Sequence, residues 1–340
     1  MAGMLTRRKI LTGVGALAVP AGPVFAQSKA AKSSPADLAR DARKKALADV
    51  KVWGVQLRLL NFAELAASPT DMIVIDHGFS DGVHFLHQFE RADIERLKTR
   101  PDGRRRLVIS YISIGEAETY RFYWQDNWTA QPPVWLGAEN PRWPGNFPVD
   151  YWNPDWQRLI IGGPDSYVSR IMAQGFDGLY LDRADVYEEL IKRHPQGAKT
   201  MSAFVAKVAA EARSTNPEAI VILQNAEALI AERPIRDSID AVSKEDLYFG
   251  LDHTEDANPS AAIAESERDL KKARAAGKRV FTIEYVTEAA RQKVVLDRCA
   301  ANSFLPYFAP RDLHGLVIDP ASLSATYGGP LVPQERPPTR

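Results

Sequence analysis

The segment RLVISYISIGEAETYRFYW, residues 106–124, decides the fold class. Its first eight residues are mostly aliphatic or aromatic, a run that is typical of a parallel strand buried on both faces. Two carboxylates, Glu116 and Glu118, follow, and then four aromatic residues within five positions. This order predicts a buried strand whose carboxyl end opens into a polar, aromatic site.

Seven further segments have the same strand character, and helical patterns lie between several of them, at residues 155–174, 199–214, 259–276 and 287–302. Repeated β/α units of this number predict a single-domain (β/α)8 TIM barrel. An open doubly wound sheet is the alternative, but no glycine-rich phosphate loop follows the first strand. The seven segments are VWGVQL (52–57), DMIVID (71–76), GLYLD (178–182), AIVILQN (219–225), DAVSKED (240–246), RVFTIEYV (279–286) and FLPYFAP (304–310).

The two ends of the chain differ from this middle part. Residues 1–26 combine a basic start at Arg7, Arg8 and Lys9, a short apolar stretch and a small-residue end, which predicts an export signal of the twin-arginine type. We expect a linker and short helix at 27–50, the barrel at 51–319 and a Pro-rich tail at 320–340. A periplasmic or secreted location follows, with a plain Sec signal as the alternative.

Composition limits the partners. The chain has 43 basic and 43 acidic residues, and removal of 1–26 leaves 40 basic against 43 acidic, which argues against nucleic acid. The apolar stretch of the signal is too short to span a bilayer, so we expect no membrane span in the mature protein. Cys299 is the only cysteine, so an intrachain disulfide is impossible and structural zinc is not expected. We expect a monomer.

Acids or amides stand at most of the predicted strand ends. In a TIM barrel the site forms at the carboxyl ends of the strands, from side chains that point inward. Strand alternation favours Glu245 over Asp246, because Glu245 shares its face with a serine and an alanine, whereas Asp246 shares its face with a lysine. The same rule places Tyr180 inside with Asp182. The strand-end candidates are Asp76, Glu116, Asp182, Asn225, Glu245 and Glu284.

Aromatic residues concentrate after the third strand. Eleven of the 31 aromatic residues and six of the seven tryptophans lie between Tyr120 and Trp156, in a long loop rich in Pro, Asn and Gly. Long loops in compact domains are usually functional, and aromatic faces stack on sugar rings. We expect some rings to form the loop's own core and others to line a cleft. Trp124, Gln56, Tyr111 and Tyr180 are the further candidates for substrate contact.

Two carboxylates with separated pKa values are what cleavage of a glycosidic bond requires. Other chemistries find less support, because His84 and His87 are the only close histidine pair, no HExxH motif occurs, and Cys299 lies late in a predicted helix. We therefore expect no metal and no cofactor.

Four segments resemble the endo-α-1,4-polygalactosaminidase-related barrels, glycoside hydrolase family 114. They are YISIGEAETYRFYW (111–124), GLYLDRADVYE (178–188), VILQNAE (221–227) and VSKEDLYFG (242–250), and the likeness covers about 52–310. The resemblance implies a TIM barrel that hydrolyses an α-linked amino-sugar polymer. Asp182 and Glu245 match the family's acid pair. Asp76, Glu116, Asn225 and Glu284 match rim positions, and DHGFSDG (76–82) departs from the shorter DYS-like form.

The sequence thus predicts an exported glycoside hydrolase that acts on a polysaccharide, and an acid-lined cleft would suit a cationic galactosamine polymer. Asp182 is expected as nucleophile or electrostatic stabiliser and Glu245 as acid/base, with retention preferred over inversion. Two alternatives stay open: a non-catalytic polysaccharide-binding barrel and a metal-dependent polysaccharide deacetylase.

Overall fold

The computed structural model describes residues 33–80, 85–252 and 254–316. Eight parallel strands form one sheet in which each strand pairs with the next along the chain, the order of a (β/α)8 barrel. All eight predicted strands are present. They are β1 (Trp53–Gln56), β2 (Met72–Ile75), β3 (Leu107–Ser113), β4 (Gly178–Asp182), β5 (Ile220–Gln224), β6 (Ala241–Glu245), β7 (Arg279–Glu284) and β8 (Leu305–Phe308).

The first and last strands meet through side chains. The indole Nε1 of Trp53 on β1 donates to the carbonyl of Leu305 on β8 at 3.2 Å, and the Tyr307 hydroxyl donates to the carbonyl of Val55 at 3.4 Å. Alternate residues of the strands fill the lumen, and the others pack against the surrounding helices. The lumen cluster includes Trp53, Val55, Met72, Val74, Ile109, Tyr111, Tyr180, Ile222, Ala241, Phe281, Ile283, Tyr285 and Tyr307.

The helices largely follow the predicted patterns. One prediction is wrong: the pattern at 155–174 forms two helices, because the Gly162, Gly163 and Pro164 run interrupts it. The helices are α1 (Pro35–Asp49), α2 (Phe62–Ala67), α3 (Arg91–Leu97), α4 (Pro154–Ile161), α5 (Tyr167–Ala173), α6 (Val186–Glu189), α7 (Gly197–Thr215), α8 (Arg233–Ser238), α9 (Ser260–Ala275) and α10 (Ala289–Asn302).

Helix α1, which lies in the segment predicted as linker and short helix, packs on the barrel. Leu47 and Val50 belong to the lumen cluster. Arg43 is buried and donates to Asp240 Oδ1 at 2.9 Å and to the carbonyl of Pro217 at 2.8 Å. The helix therefore covers the amino-terminal end of the barrel. Residues 1–26 and the tail at 320–340 lie outside the described residues. Among the residues that the structure describes, no helix is long and apolar enough to cross a membrane.

Two short hairpins stand at the opposite, carboxyl end. Gly78–Ser80 pairs with Phe85–Gln88 after β2, and Glu116–Glu118 pairs with Asn146–Pro148 after β3. The second hairpin leaves β3 through Gly115, where a Cβ atom would lie 2.0 Å from the carbonyl oxygen of Arg183. A glycine is required there, since the hairpin lies directly on the chain that leaves β4.

Candidate active site

Asp182 and Glu245 end strands β4 and β6, with β5 between them. Tyr180 and Ala241 on the same strands belong to the lumen cluster, so the two-residue period directs Asp182 and Glu245 to the same interior. Both carboxyl-bearing residues remain partly exposed. The sheet thus brings two acids to one solvent-accessible end of the lumen.

A left-handed backbone follows each of three neighbouring strands. Arg183, Asn225 and Asp246 come directly after β4, β5 and β6 and have φ values of 59°, 57° and 49°. This conformation is unfavourable for residues other than glycine, and it is held where the surrounding structure enforces it, often at functional sites. Here it turns the chain sharply at the point where Asp182 and Glu245 are presented.

Asp182 is held by a neighbouring strand. The Tyr111 hydroxyl on β3 donates to Asp182 Oδ2 at 2.9 Å. Burial and the negative charge of Glu245 raise the pKa of Asp182 to about 7. The charge of Glu245 therefore acts on Asp182, and Asp182 can exchange a proton near neutral pH.

Glu245 is held at both oxygens. The Asn225 amide donates to Oε1 at 2.5 Å and the Tyr285 hydroxyl donates to Oε2 at 2.6 Å, while the Glu245 amide donates to Asn225 Oδ1 at 3.0 Å. The sequence predicted Asn225 at this rim but missed Tyr285. The sequence could have predicted Tyr285 at the lumen. Phe281, Ile283 and Tyr285 are bulky residues at alternate positions of β7 and its end, and such residues fill a barrel lumen.

Tyr180 closes the lumen beneath the two acids. It is buried, and its hydroxyl contacts Gln224 Oε1 and donates to Ser243 Oγ at 2.8 Å. Its contacts therefore lie within the barrel, and Tyr180 supports the floor of the site. Ser243 faces the lumen as the alternation at Glu245 predicted.

Glu116 lies against Arg183, the residue that follows Asp182, rather than with Glu245. Asn140 donates to Glu116 Oε1 at 2.9 Å, and Arg183 Nε lies 3.1 Å from the same oxygen. Burial raises the pKa of Glu116. Arg183 Nη1 also lies 3.7 Å from Asp185 Oδ1, and burial raises the pKa of Asp185 to about 6. Asp185 is a rim carboxyl that the sequence analysis missed, since it lies beyond the strand end.

Asp76 belongs to a closed ion-pair group, the Arg121 cluster, formed by Asp76, Glu118 and Arg121. Arg121 Nη1 donates to Asp76 Oδ1 at 2.7 Å and Arg121 Nε donates to Glu118 Oε2 at 2.5 Å. All three side chains are buried. The guanidinium also lies 4.7 Å from the ring centroid of Tyr120 and 5.6 Å from that of Tyr167. Asp76 lies on the lumen side, as the alternation along β2 predicted. Its carboxylate is bonded to Arg121, and the side chain is buried, so it does not face a substrate in this structure.

The structure places Glu284 differently from the prediction. Phe281 and Ile283 fill the lumen, and Thr282 contacts Cys299 of α10, so Glu284 faces away from the lumen. The predicted inward face of β7 is wrong by one residue, because the bulky apolar residues take the interior. Glu284 is fully buried and accepts hydrogen bonds from the amides of Leu247 at 3.1 Å and Tyr248 at 3.0 Å, which pin the loop after β6. Burial raises its pKa to about 8.

Gln56 also points away from the two acids. Trp53 and Val55 occupy the lumen side of β1, and Gln56 Nε2 donates to the carbonyls of Arg58, Leu59 and His314, each at 3.2 Å. The buried side chain joins the loop after β1 to the segment after β8. In this structure a sugar cannot reach either Gln56 or Glu284.

Trp124 lies in the core of the loop after β3. Its ring centroid is 5.2 Å from Trp128 and 5.1 Å from Phe147, and Trp128 continues to Trp135 at 5.0 Å. The expectation that part of the rings form an internal core holds for these. Trp124 keeps part of its surface exposed, but its ring packs within this group.

No group of three or more His, Cys, Asp or Glu side chains that could hold a metal ion is found within 33–80, 85–252 and 254–316. His84, one member of the only close histidine pair, lies outside those ranges.

The barrel and its strand-end acid pair define the class of a TIM-barrel glycosidase. Residues 35–324 match the model of glycoside-hydrolase family GH114, and the chain belongs to this family. It is a glycoside hydrolase.

Relatives in distant organisms share most of the chain. An uncharacterized protein of Deinococcus radiodurans is 36% identical over 82% of this chain and 86% of its own length. One from Methanocaldococcus jannaschii is 33% identical over 77% of this chain and 76% of its own length. The glycoside hydrolase domain of PelA from Pseudomonas aeruginosa has the same fold, with a TM-score of 0.61 and 17% identity over 79% of this chain and 98% of that domain.

Proposed function

We propose that this glycoside hydrolase cleaves an α-linked amino-sugar polysaccharide at internal bonds, with Asp182 and Glu245 as the catalytic pair and without a cofactor. The observation that carries the proposal is the surroundings of the pair. Both carboxyls are partly exposed at the lumen end, their partners are hydroxyl and amide groups, and neither has an ion-pair partner among the described side chains. Burial and mutual repulsion raise the pKa of Asp182 to about 7.

Such a pair supplies the two states that glycosidic cleavage uses, one protonated carboxyl and one carboxylate. We assign Glu245 as the proton donor and later base, since the Tyr285 hydroxyl can donate to ionised Glu245 or accept from its protonated form. Asp182 is the nucleophile, because it is short, ends a strand and is held through one oxygen by Tyr111. Burial and nearby acids raise the pKa of Asp182 to about 7, and an approaching cationic sugar favours its ionised form, which is the nucleophile.

The surroundings also favour a substrate with free ammonium groups. Asp185 adds a third carboxyl near the pair, and its charge is one of the causes that raise the pKa of Asp182. The nearby cations Arg183 and Lys244 do not balance these acids. Arg183 is shared among Glu189 at 2.7 Å, Glu116 at 3.1 Å and Asp185 at 3.7 Å, and Lys244 lies 3.8 Å from Glu227. The remaining negative charge complements a polymer of galactosamine units that are at least partly deacetylated.

The test is a reducing-end assay on a cationic galactosamine polymer and on its fully N-acetylated form. We expect wild type to cleave the cationic polymer faster, and Glu245→Gln and Asp182→Asn each to lose about 10³-fold or more in kcat, a loss on the order of 4 kcal/mol in transition-state stabilisation. Glu189→Gln is the matched control, because Glu189 is an exposed acid whose ion-pair partner within the described part of the chain is Arg183, at 2.7 Å. Full activity in both pair variants would refute the assignment.

Binding and acetate release, measured on the same two polymers, separate the two alternatives. Saturable binding with no new reducing ends would identify a polysaccharide-binding barrel. Release of acetate that stops with a chelator would identify a metal-dependent deacetylase. The anomer that forms first, followed by NMR, distinguishes retention from inversion, and azide rescue of Asp182→Ala would support Asp182 as nucleophile.

We further propose that residues 1–26 export the chain by the twin-arginine route to the periplasm or medium and that the mature protein is a monomer. The sequence of residues 7–9 supports the first point. Fusion of 1–26 to a folded reporter should give export that Arg7→Lys with Arg8→Lys abolishes, and sedimentation analysis gives the mass of the mature protein.

A further inference from the structure

Two aromatic side chains of the loop after β3 are exposed to a similar extent. Phe122 is 41% exposed and Trp143 is 45% exposed. The other tryptophans of this loop contact rings, among them Trp152, which stacks on His194 at 4.2 Å. Trp143 has no aromatic partner among the described residues. Its ring is therefore available to a ligand.

The turn that carries Trp143 is well fixed. The Trp143 amide donates to the carbonyl of Asn140 at 3.1 Å, and the Asn146 amide donates to the carbonyl of Trp143 at 3.0 Å. Gly145, with φ of 88°, donates to Glu139 Oε1 at 2.7 Å and accepts from the Thr119 amide at 2.9 Å. A ring on such a turn loses little conformational entropy on binding.

The same turn is tied to the catalytic pair. Asn140 donates to Glu116 Oε1 at 2.9 Å, and the Arg183 Nε atom lies 3.1 Å from that oxygen. Arg183 directly follows Asp182. Two side-chain contacts therefore connect the turn of Trp143 to the residue next to the proposed nucleophile, at the carboxyl end of the barrel.

We propose that Trp143 is a stacking platform for a pyranose ring of the polymer, in a subsite adjacent to Asp182. This inference rests on the proposed function. The apolar C–H face of a sugar stacks on an aromatic face, and an exposed indole on a fixed turn offers the largest such face among the side chains. The platform favours binding of a polymer over a single sugar, because the indole contacts a sugar unit of the polymer beyond the scissile bond.

Phe122 provides the matched control. Its ring face is covered by the Arg170 guanidinium at 4.4 Å, and the rings of Tyr123 and Tyr167 lie at 5.4 Å with their planes steeply inclined to it. A sugar cannot stack on that face without displacing Arg170. Phe122→Ala thus removes an aromatic ring of similar exposure from the same loop, but a ring whose face is already covered by Arg170.

The experiment measures kcat and KM on the cationic galactosamine polymer and on a short chromogenic galactosaminide. We expect Trp143→Ala to raise KM for the polymer about three- to tenfold, with little change for the short substrate. Trp143→Phe should recover most of the loss, and Phe122→Ala should behave as wild type.

Equal polymer kinetics in wild type and Trp143→Ala would overturn the proposal. An equal rise in KM in Phe122→Ala would also overturn it. A changed sedimentation coefficient in Trp143→Ala together with unchanged polymer affinity would overturn it as well. Absence of hydrolysis by the wild type would instead contradict the proposed function, and polymer affinity measured by titration would then still test the platform.

Discussion

The Arg121 cluster and the carboxyl pair, Asp182 and Glu245, stand at the same end of one barrel in opposite surroundings. In the cluster, Asp76 and Glu118 are buried and bonded to Arg121 at 2.7 and 2.5 Å. In the pair, the partners are hydroxyl and amide groups, and the surface remains partly open. One group is charge-compensated and closed, whereas the other keeps unbalanced charge in contact with solvent.

The difference shows what makes a strand-end acid a site. Position at the carboxyl end is common to both groups, but in the pair burial and the charge of Glu245 raise the pKa of Asp182 to about 7. Asp76 and Glu118 each accept a hydrogen bond from the buried guanidinium of Arg121, so Arg121 already occupies their oxygens. The pair differs from the cluster because neither of its carboxyls has an ion-pair partner among the described residues, and substitutions at four residues test this comparison.

The largest effect is expected in the Arg121 cluster. Arg121→Met leaves two buried carboxylates without compensation, which should lower the free energy of unfolding by about 3–5 kcal/mol. Denaturant unfolding at pH 7 measures it. Arg158→Met, which breaks an exposed pair with Asp155, should cost less than about 1 kcal/mol. An Arg121→Met midpoint equal to that of Arg158→Met would show that the cluster does not stabilise the fold.

Glu284 provides a second closed carboxyl. Glu284→Ala leaves the amides of Leu247 and Tyr248 without their acceptor and should destabilise by about 2–4 kcal/mol. Glu284→Gln keeps an acceptor oxygen and should match wild type at pH 7, where a carboxyl with pKa of about 8 is mostly protonated. Equal losses in both variants would contradict the bonding role.

The ionised form of Asp182 should destabilise the folded protein. Its pKa rises from 3.8 unfolded to about 7 folded, so the folded state holds the proton more tightly and stability falls as pH rises between these values. Asp182→Asn should be equal to wild type below about pH 4 and more stable by about 1–2 kcal/mol above pH 7, since partial exposure reduces the effect. Thermal unfolding from pH 3 to 8 checks this, and a constant difference would rule it out.

The smallest effect is expected at Tyr285. Tyr285→Phe removes the donor 2.6 Å from Glu245 Oε2, so kcat/KM should fall about tenfold and the apparent pKa values of the pH–rate profile should move upward. Tyr307→Phe is the control, because that lumen hydroxyl contacts the carbonyl of Val55 at 3.4 Å. An unshifted profile in Tyr285→Phe would mean that the hydroxyl does not tune the pair.

By itself the sequence determined the eight strands and the (β/α)8 order, because buried parallel strands require apolar runs that local composition records. It also determined that Asp182 and Glu245 share the lumen, since two-residue alternation follows from backbone geometry. The bulky residues of β7 could have predicted which of its faces lines the lumen. The prediction instead placed the charged residue Glu284 inside, although the larger apolar side chains fill that space.

Only the tertiary structure decided which acids are compensated. Arg121 reaches Asp76 across 45 positions of sequence, and Tyr285 reaches Glu245 across 40. Only the tertiary structure separated the core ring of Trp124 from the exposed ring of Trp143, in a loop whose composition marks both alike. Partners and exposure depend on contacts between distant segments, and local sequence carries no record of those contacts.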